Sequence, residues 1–165
     1  MHSPVKIILD QFEMTHSGYV GFLRRLECVT RKRVDQPGRG EFKNGYWEND
    51  IQAAFSERAV AKFLDIPWTG SIGSFKGADI DPDIQVRWTP YENGKLIIRP
   101  GDADNHKFVL VTGDAPEYII HGWMFGAYGK NTEWAYNKNG GAPCFMIPRE
   151  YLWTPQDLKN SLGRV

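Results

Sequence analysis

The chain has 165 residues, of which 41% are hydrophobic, and it carries 20 basic and 20 acidic side chains. A chain of this length can bury one sizeable core, and no shift in composition indicates a second domain. The balanced charge excludes the general attraction to polyanions that a strongly basic protein shows, so any nucleic-acid surface must be a local patch.

The N-terminal part of the sequence predicts a strand and a helix. The strand is expected from Val5 to Leu9. Apolar residues then recur at three- to four-residue spacing between Val20 and Val29, which predicts a helix from about Ser17 to Arg31. This helix ends in a basic cluster at residues 31–33, and positive charge suits the negative end of the helix dipole.

The strongest helical pattern runs from Trp47 to Leu64, after a predicted loop at residues 34–46. In a projection at about 100° per residue, Glu57 lies among alanine, valine and leucine side chains. A carboxylate on an apolar helix face is costly unless it is paired or bound to a metal. Three interpretations of Glu57 follow: a metal site, a buried ion pair, or a helix phase that differs from the projected one.

After this helix the sequence predicts an acidic turn at residues 77–83 and then a strand from Ile84 to Tyr91. Gln85 and Arg87 share one side of that strand, because successive side chains alternate between its two faces.

The dipeptide Asn93-Gly94 is a strong signal for a two-residue hairpin. It predicts that residues 95–99 pair back antiparallel on the preceding strand. That register places Thr89 opposite Ile98.

The second half of the chain predicts further strands and a terminal helix. Buried strands are expected at Phe108 to Val111 and Tyr118 to Phe125, with a short strand at Cys144 to Ile147. Thr154 is a suitable cap for a helix at about residues 155–162. His121, inside a predicted strand, is expected to be a core residue.

No stretch of the sequence approaches the about 18 apolar residues of a membrane-spanning helix, and the N-terminus lacks a signal-peptide pattern. We therefore expect a cytoplasmic protein that does not act on membranes. Cys28 and Cys144 lack partners at metal-ligand spacing, which favours reduced thiols over zinc ligands.

The residues that suggest chemistry lie on the second helix and the strand after it. Mg²⁺ prefers hard oxygen ligands and keeps several waters, so two carboxylates can hold it beside a phosphate. Glu57, Asp79, Gln85 and Arg87 supply oxygen ligands and a cation in that order. Asp83 shares the strand side of Gln85 and is an alternative ligand if the strand begins early. The other interpretation of the acidic residues is a solvated turn.

These segments resemble the PD-(D/E)XK nuclease superfamily, through Glu57, Gly77-Ala78-Asp79-Ile80 and Gln85-Val86-Arg87. The chain is also similar, from about Leu23 to Leu158, to a family of uncharacterised phage and prophage proteins. The superfamily implies one α/β domain, with a mixed sheet of about five strands flanked by helices in a restriction-endonuclease-like core. It also implies hydrolysis of DNA that depends on Mg²⁺ or Mn²⁺. On this resemblance the core spans about residues 47–150, and the protein acts in the cytoplasm of a phage host.

The resemblance assigns a role to each of the four residues. Glu57 assists the metal or the water, Asp79 is the central metal ligand and Gln85 takes the second ligand position. Arg87 takes the position usually held by lysine. Gln85 can coordinate through its amide oxygen but removes a negative charge, whereas Arg87 can clamp phosphate but cannot carry a proton.

Three interpretations of function are therefore open. The first is an active metal-dependent nuclease, and the second is a catalytically impaired nuclease fold that binds nucleic acid or protein. The third is a small accessory protein that acts only through protein contacts. We expect DNA as the partner of the first two, consider a homodimer, and expect no organic cofactor. The candidate nucleic-acid contacts, each of which also suits a plain solvated surface, are Arg24, Arg25, Arg31, Lys32, Arg33 and Lys130.

Overall fold

The computed structural model describes residues 3–31, 45–73, 77–80, 82–137 and 140–163. The described residues form an α/β fold in which helices flank a mixed sheet of four strands and a second sheet of three. The predicted fold class is confirmed at this level. The expectation of one sheet of about five strands is wrong, because the strands are divided between two sheets.

The elements along the chain are β1 (Val5–Ile8), α1 (Gln11–Thr30), α2 (Tyr46–Leu64), β2 (Ile84–Thr89), β3 (Leu96–Ile98), β4 (Lys107–Asp114), β5 (Glu117–Phe125), a single-turn helix α3 (Gly126–Gly129), β6 (Ala135–Tyr136), β7 (Cys144–Ile147) and α4 (Pro155–Ser161). The first sheet has the order β1-β5-β4-β2, with β2 parallel to β4 and the other pairs antiparallel. The second sheet is antiparallel and has the order β3-β7-β6.

Strand β4 separates two apolar cores. Val109 and Val111 belong to the core that contains buried residues of α2, whereas Phe108 and Leu110 belong to the core formed with β3 and β7. This division follows from the alternation of side chains along a strand. The position of a residue along β4, or along its parallel neighbour β2, therefore decides which core it meets.

Helix α1 begins at Gln11 and not near Ser17, so its predicted start is wrong by almost two turns. Asp10 caps the helix: its side chain accepts a hydrogen bond from the Glu13 N–H at 2.8 Å, and the Glu13 carboxylate accepts from the Asp10 N–H at 2.8 Å. This capping box satisfies two backbone donors of the first turn. Ser17 lies inside the helix and donates to the Glu13 carbonyl at 2.5 Å.

Helix α2 matches its prediction within one residue, and its C-terminal cap is Asp65, whose φ of 54° is left-handed. The strands predicted at the N-terminus, before and after residues 113–116, and at Cys144 are also present, as is the helix capped by Thr154. Residues 34–44 of the predicted loop before α2 lie outside the described residues. No helix in the described part of the chain has the length and apolarity needed to cross a membrane.

The hairpin predicted at Asn93-Gly94 is wrong. Strand β2 pairs in parallel with β4, so Thr89 lies opposite Thr112, and β3 pairs with β7. A hairpin turn of the Asn-Gly type needs positive φ at both central residues, and neither Asn93 nor Gly94 has one. A Cβ at Gly94 would overlap the Thr89 side chain. Glycine at position 94 therefore lets the backbone between β2 and β3 pass close to the Thr89 side chain.

Helices α1 and α2 pack side by side in opposite directions, since Glu13 pairs with Lys62 while Gly21 lies against Ile51. A Cβ on Gly21 would lie 2.7 Å from the Asp50 carbonyl oxygen and 2.7 Å from the Ile51 Cα. Because both are backbone atoms, only glycine allows the helices to approach this closely.

We expect Gly21→Ala to lower the free energy of unfolding by about 1–3 kcal/mol, because the added methyl group meets backbone that cannot move aside. The higher helix propensity of alanine, about 1 kcal/mol, offsets part of this loss. Gly18→Ala is the matched control, since its Cβ would meet only the Phe55 ring, at 3.1 Å, and we expect it to be neutral or stabilising. Urea unfolding measures both, and equal stabilities would contradict the close packing at Gly21.

Candidate functional site

Glu57 lies on the inner side of α2 and is 4% exposed. Arg24 of α1 donates to both carboxylate oxygens, from Nη1 at 2.7 Å and from Nη2 at 3.0 Å. The Trp68 indole Nε1–H donates to the same carboxylate at 3.1 Å. Arg24 is held in place by a hydrogen bond from its Nε to the Ser71 carbonyl at 2.9 Å. Of the interpretations of Glu57, the buried ion pair is therefore the one that the structure shows.

Asp79 lies close enough to Glu57 to change its ionisation. Burial raises the pKa of Glu57, the negative charge of Asp79 raises it further, and Arg24 and Trp68 oppose these effects, which leaves the pKa at about 7. Burial lowers the pKa of Arg24, but the nearby carboxylates, chiefly Glu57, outweigh burial and raise it. Two carboxylates around one guanidinium carry an excess negative charge. A proton on Glu57 removes this excess.

Asp79 also holds the outer edge of β2. Its Oδ2 accepts a hydrogen bond from the Val86 N–H at 2.8 Å. The neighbouring Ile80 exchanges two backbone hydrogen bonds of 3.0 Å with Ile84. Because β2 is the last strand of its sheet, its outer N–H groups need a partner from elsewhere. Asp79 therefore supplies a structural contact to β2 as well as a charge beside Glu57.

Gln85 and Arg87 do not join Glu57 and Asp79. Ile84 and Val86 belong to the core that contains buried residues of α2. Since side chains alternate along a strand, Gln85 and Arg87 point to the opposite face of the sheet. The sheet thus divides the predicted four-residue site into two pairs.

Each residue of the second pair has partners on its own side. Arg87 donates to Asp102 Oδ2 at 2.9 Å, and its guanidinium lies 5.0 Å from the centre of the Phe108 ring. Gln85 donates to the Gly77 carbonyl at 3.2 Å, and its Nε2 lies 3.5 Å from His106 Nδ1. These contacts tie the strand to the loop that precedes β4 and to the acidic turn.

The arrangement does not fit a site for Mg²⁺ or Mn²⁺. Such an ion needs several oxygen ligands with free lone pairs around one point, but Arg24 and Trp68 already donate to Glu57. A second cation beside this carboxylate would also repel Arg24. Asp83, the alternative ligand, pairs with Lys107 at 2.5 Å. The described residues include no group of three or more histidine, cysteine, aspartate and glutamate side chains arranged to hold a metal.

The basic residues predicted to contact nucleic acid are paired with acidic residues wherever the structure describes them. Arg25 is only 6% exposed, so the expectation that it meets a phosphate at the surface is wrong. Lys32 and Arg33 lie outside the described residues. The pairs are Arg24 with Glu57, Arg25 with Asp50, Arg31 with Glu27 and Lys130 with Asp104.

His121 is buried, as the sequence predicts, and is 8% exposed. Its Nε2 lies 2.7 Å from Thr112 Oγ1, within hydrogen-bond distance. The contact joins neighbouring strands β4 and β5, and it gives this histidine a structural role.

The outer side of α1 is the feature that sequence reasoning missed. Leu26 and Val29 belong to the periodic set that predicts this helix, yet they are 38% and 55% exposed. The side of α1 that faces α2 instead carries Glu13 and Arg25. The signal that could have revealed the exposed side is the helical spacing of Leu26 and Val29 with Phe12, Tyr19 and Phe22, on the side opposite Glu13 and Arg24.

Comparison of the chain with protein-family models, with curated proteins and with solved structures finds no match in any of the three.

We expect Glu57 to titrate with a midpoint near pH 7. An unfolded glutamate loses its proton near pH 4.5, so the folded state holds an extra proton between these values. The contribution of Glu57 to the free energy of unfolding therefore falls as the pH rises through this window. The ¹H–¹⁵N signal of the Trp68 indole, assigned with Trp68→Phe, reports the titration. A midpoint below pH 5, or the same titration in Glu57→Gln, would contradict this prediction.

We expect Arg24→Met to destabilise the protein more at pH 8 than at pH 5.5. At pH 8 the Glu57 of the variant must either stay charged without its counter-ion or bind a proton from a basic solution, which costs up to about 3 kcal/mol. At pH 5.5 Glu57 is protonated and needs no counter-ion. The double variant Arg24→Met/Glu57→Gln should recover most of the stability lost at pH 8. Urea unfolding tests this, and a double variant as unstable as Arg24→Met would refute the pairing argument.

Proposed function

We propose that this chain is a non-hydrolytic protein-interaction module built on a restriction-endonuclease-like core. The contact between Arg24 and Glu57 carries the proposal. The carboxylate to which the nuclease resemblance gives a catalytic role is buried, and a guanidinium donates to both of its oxygens. The Arg24 guanidinium, which α1 brings against α2, thus lies where a metal ion and its waters would bind.

The order of the helix, the acidic residue and the strand along the chain supports the restriction-endonuclease-like core. Glu57 lies on α2, Asp79 precedes β2, and β2 belongs to a mixed sheet. Glu57 and Asp79 interact electrostatically, as two carboxylates of one former site would. Gln85 and Arg87 are the two positions at which the sequence departs from the nuclease pattern. They are also the two that face away from Glu57, which is consistent with the loss of hydrolysis.

A protein suits this chain better as a partner than a nucleic acid does. Recognition of phosphate needs cations that face solvent, but the described candidates are paired with acidic side chains. The formal net charge is zero, which provides no general attraction to a polyanion. The outer side of α1 instead exposes large apolar side chains, among them Phe12 and Tyr19. Contiguous exposed apolar surface marks sites where proteins dock.

Metal-dependent hydrolysis of DNA is the second candidate function. It is favoured by the interaction of Glu57 with Asp79 and by the raised pKa of Glu57, since shifted carboxylates cluster at catalytic sites. This candidate requires Arg24 to leave the Glu57 carboxylate.

We expect linear, supercoiled and single-stranded DNA to stay intact after incubation with the protein and either Mg²⁺ or Mn²⁺. Fluorescence anisotropy with the same DNA should show no salt-dependent binding. The control variants are Glu57→Gln and Asp79→Asn, each checked for native structure by circular dichroism. Cleavage that both variants abolish would establish the second candidate. Salt-dependent binding without cleavage would identify nucleic acid as the partner, and either result overturns the proposal.

A further inference from the structure

Helix α1 carries a stripe of side chains that are exposed in the described part of the chain. All six residues of this α1 stripe are exposed, and the five large hydrophobic ones retain between 38% and 79% of their surface. The opposite side of the helix is buried and includes Glu13 and Arg25, which pair with α2. The α1 stripe consists of Phe12, Thr15, Tyr19, Phe22, Leu26 and Val29.

The spacing within the α1 stripe alternates between three and four residues from Phe12 to Val29. This is the heptad pattern of a coiled-coil seam, in which the first and fourth positions of each seven meet a second helix. An ordinary surface helix turns its apolar repeat toward its own core. Here the repeat points outward, so it fits a helix supplied from outside this chain.

The α1 stripe is also symmetric about its midpoint, between Val20 and Gly21. When two copies of α1 lie antiparallel about that point, each position of the stripe meets another position of the stripe. An interface with two-fold symmetry requires one patch that is complementary to itself. The α1 stripe meets this requirement, because the facing positions are Phe12 with Val29, Thr15 with Leu26, and Tyr19 with Phe22.

We propose that the α1 stripe docks on the α1 stripe of a second copy of this chain, forming an antiparallel two-stranded coiled coil. The inference rests on the proposed function and names its partner.

The exposed surface is about three quarters of what a standard interface buries on each partner. Tyr46 and Trp47 of α2 widen the α1 stripe, and the Trp47 ring lies 5.3 Å from that of Phe22. The hydrophobic residues of the stripe and these two aromatic residues expose roughly 600 Å². A standard interface buries about 800 Å² on each partner.

Electrostatics also allow two copies to associate. The formal net charge is zero, so the copies do not repel each other through net charge. An antiparallel arrangement brings the positive N-terminal end of each helix to the negative C-terminal end of the other.

Sedimentation equilibrium of the full chain tests the proposal. We expect the wild type to be a dimer and Tyr19→Glu to weaken dimerisation at least about a hundredfold, because it places two carboxylates near the two-fold axis. Tyr91→Glu is the matched control, since Tyr91 is 61% exposed against 62% for Tyr19 and lies outside the α1 stripe. This control should remain a dimer.

Disulfide trapping tests the antiparallel orientation. Phe12→Cys and Val29→Cys are prepared separately in a background in which Cys28 and Cys144 are serine. After the two variants are mixed and oxidised by air, we expect unlike chains to be linked. Linkage of like chains only would indicate a parallel pair and overturn the proposed arrangement.

A wild type that stays monomeric throughout the micromolar range, or a dimer that Tyr19→Glu leaves intact, overturns the proposal. If the monomer binds a different protein through Tyr19, the partner is wrong but the proposed function stands. Cleavage of DNA would instead overturn the proposed function.

Discussion

The buried contact between Arg24 and Glu57 determines how the helices and the first sheet fit together. Glu57 lies on the side of α2 that packs into the apolar core, where an unpaired carboxylate is strongly unfavourable. Its counter-ion comes from α1, and Trp68 and Ser71 complete the hydrogen bonds around the pair. To supply Arg24 in this geometry, α1 must turn its charged side toward α2. The apolar row on its outer side, from Phe12 to Val29, is consequently exposed.

The other contacts between α1 and α2 also pair charged side chains. Arg25 pairs with Asp50 and Glu13 pairs with Lys62, while Gly21 lets the two backbones approach closely. Buried ion pairs add little net stability, because the cost of removing both charges from water offsets much of their attraction. The contact therefore positions α1 while its outer apolar row stays exposed. The pairing of Glu57 with Arg24 thus orients α1 so that its outer apolar row is exposed.

The elements that the sequence predicted well are those with local signals. Helix α2 contains no glycine or proline and ends shortly before Pro67. The capping box of α4 involves only Thr154 and Asp157, which are three residues apart. Strand pairing depends on distant residues, and the hairpin prediction failed for that reason: Asn93-Gly94 has a hairpin signal, but β2 gains its partner from β4. At the site, helical projection placed Glu57 in an apolar environment. It could not identify Arg24, which lies 33 residues earlier in the chain.

Periodicity shows that a helix or strand has two different sides, but it does not show which side faces the core. Alternation put Gln85 and Arg87 together without indicating that they lie across the sheet from Glu57. In α1 the same ambiguity is resolved by electrostatics, because the helix that supplies a counter-ion to Glu57 must bury its charged side. A surface helix normally buries its apolar side to gain hydrophobic free energy. Here the cost of an unpaired carboxylate in the core outweighs that gain, so the outer apolar row of α1 stays exposed in the described part of the chain.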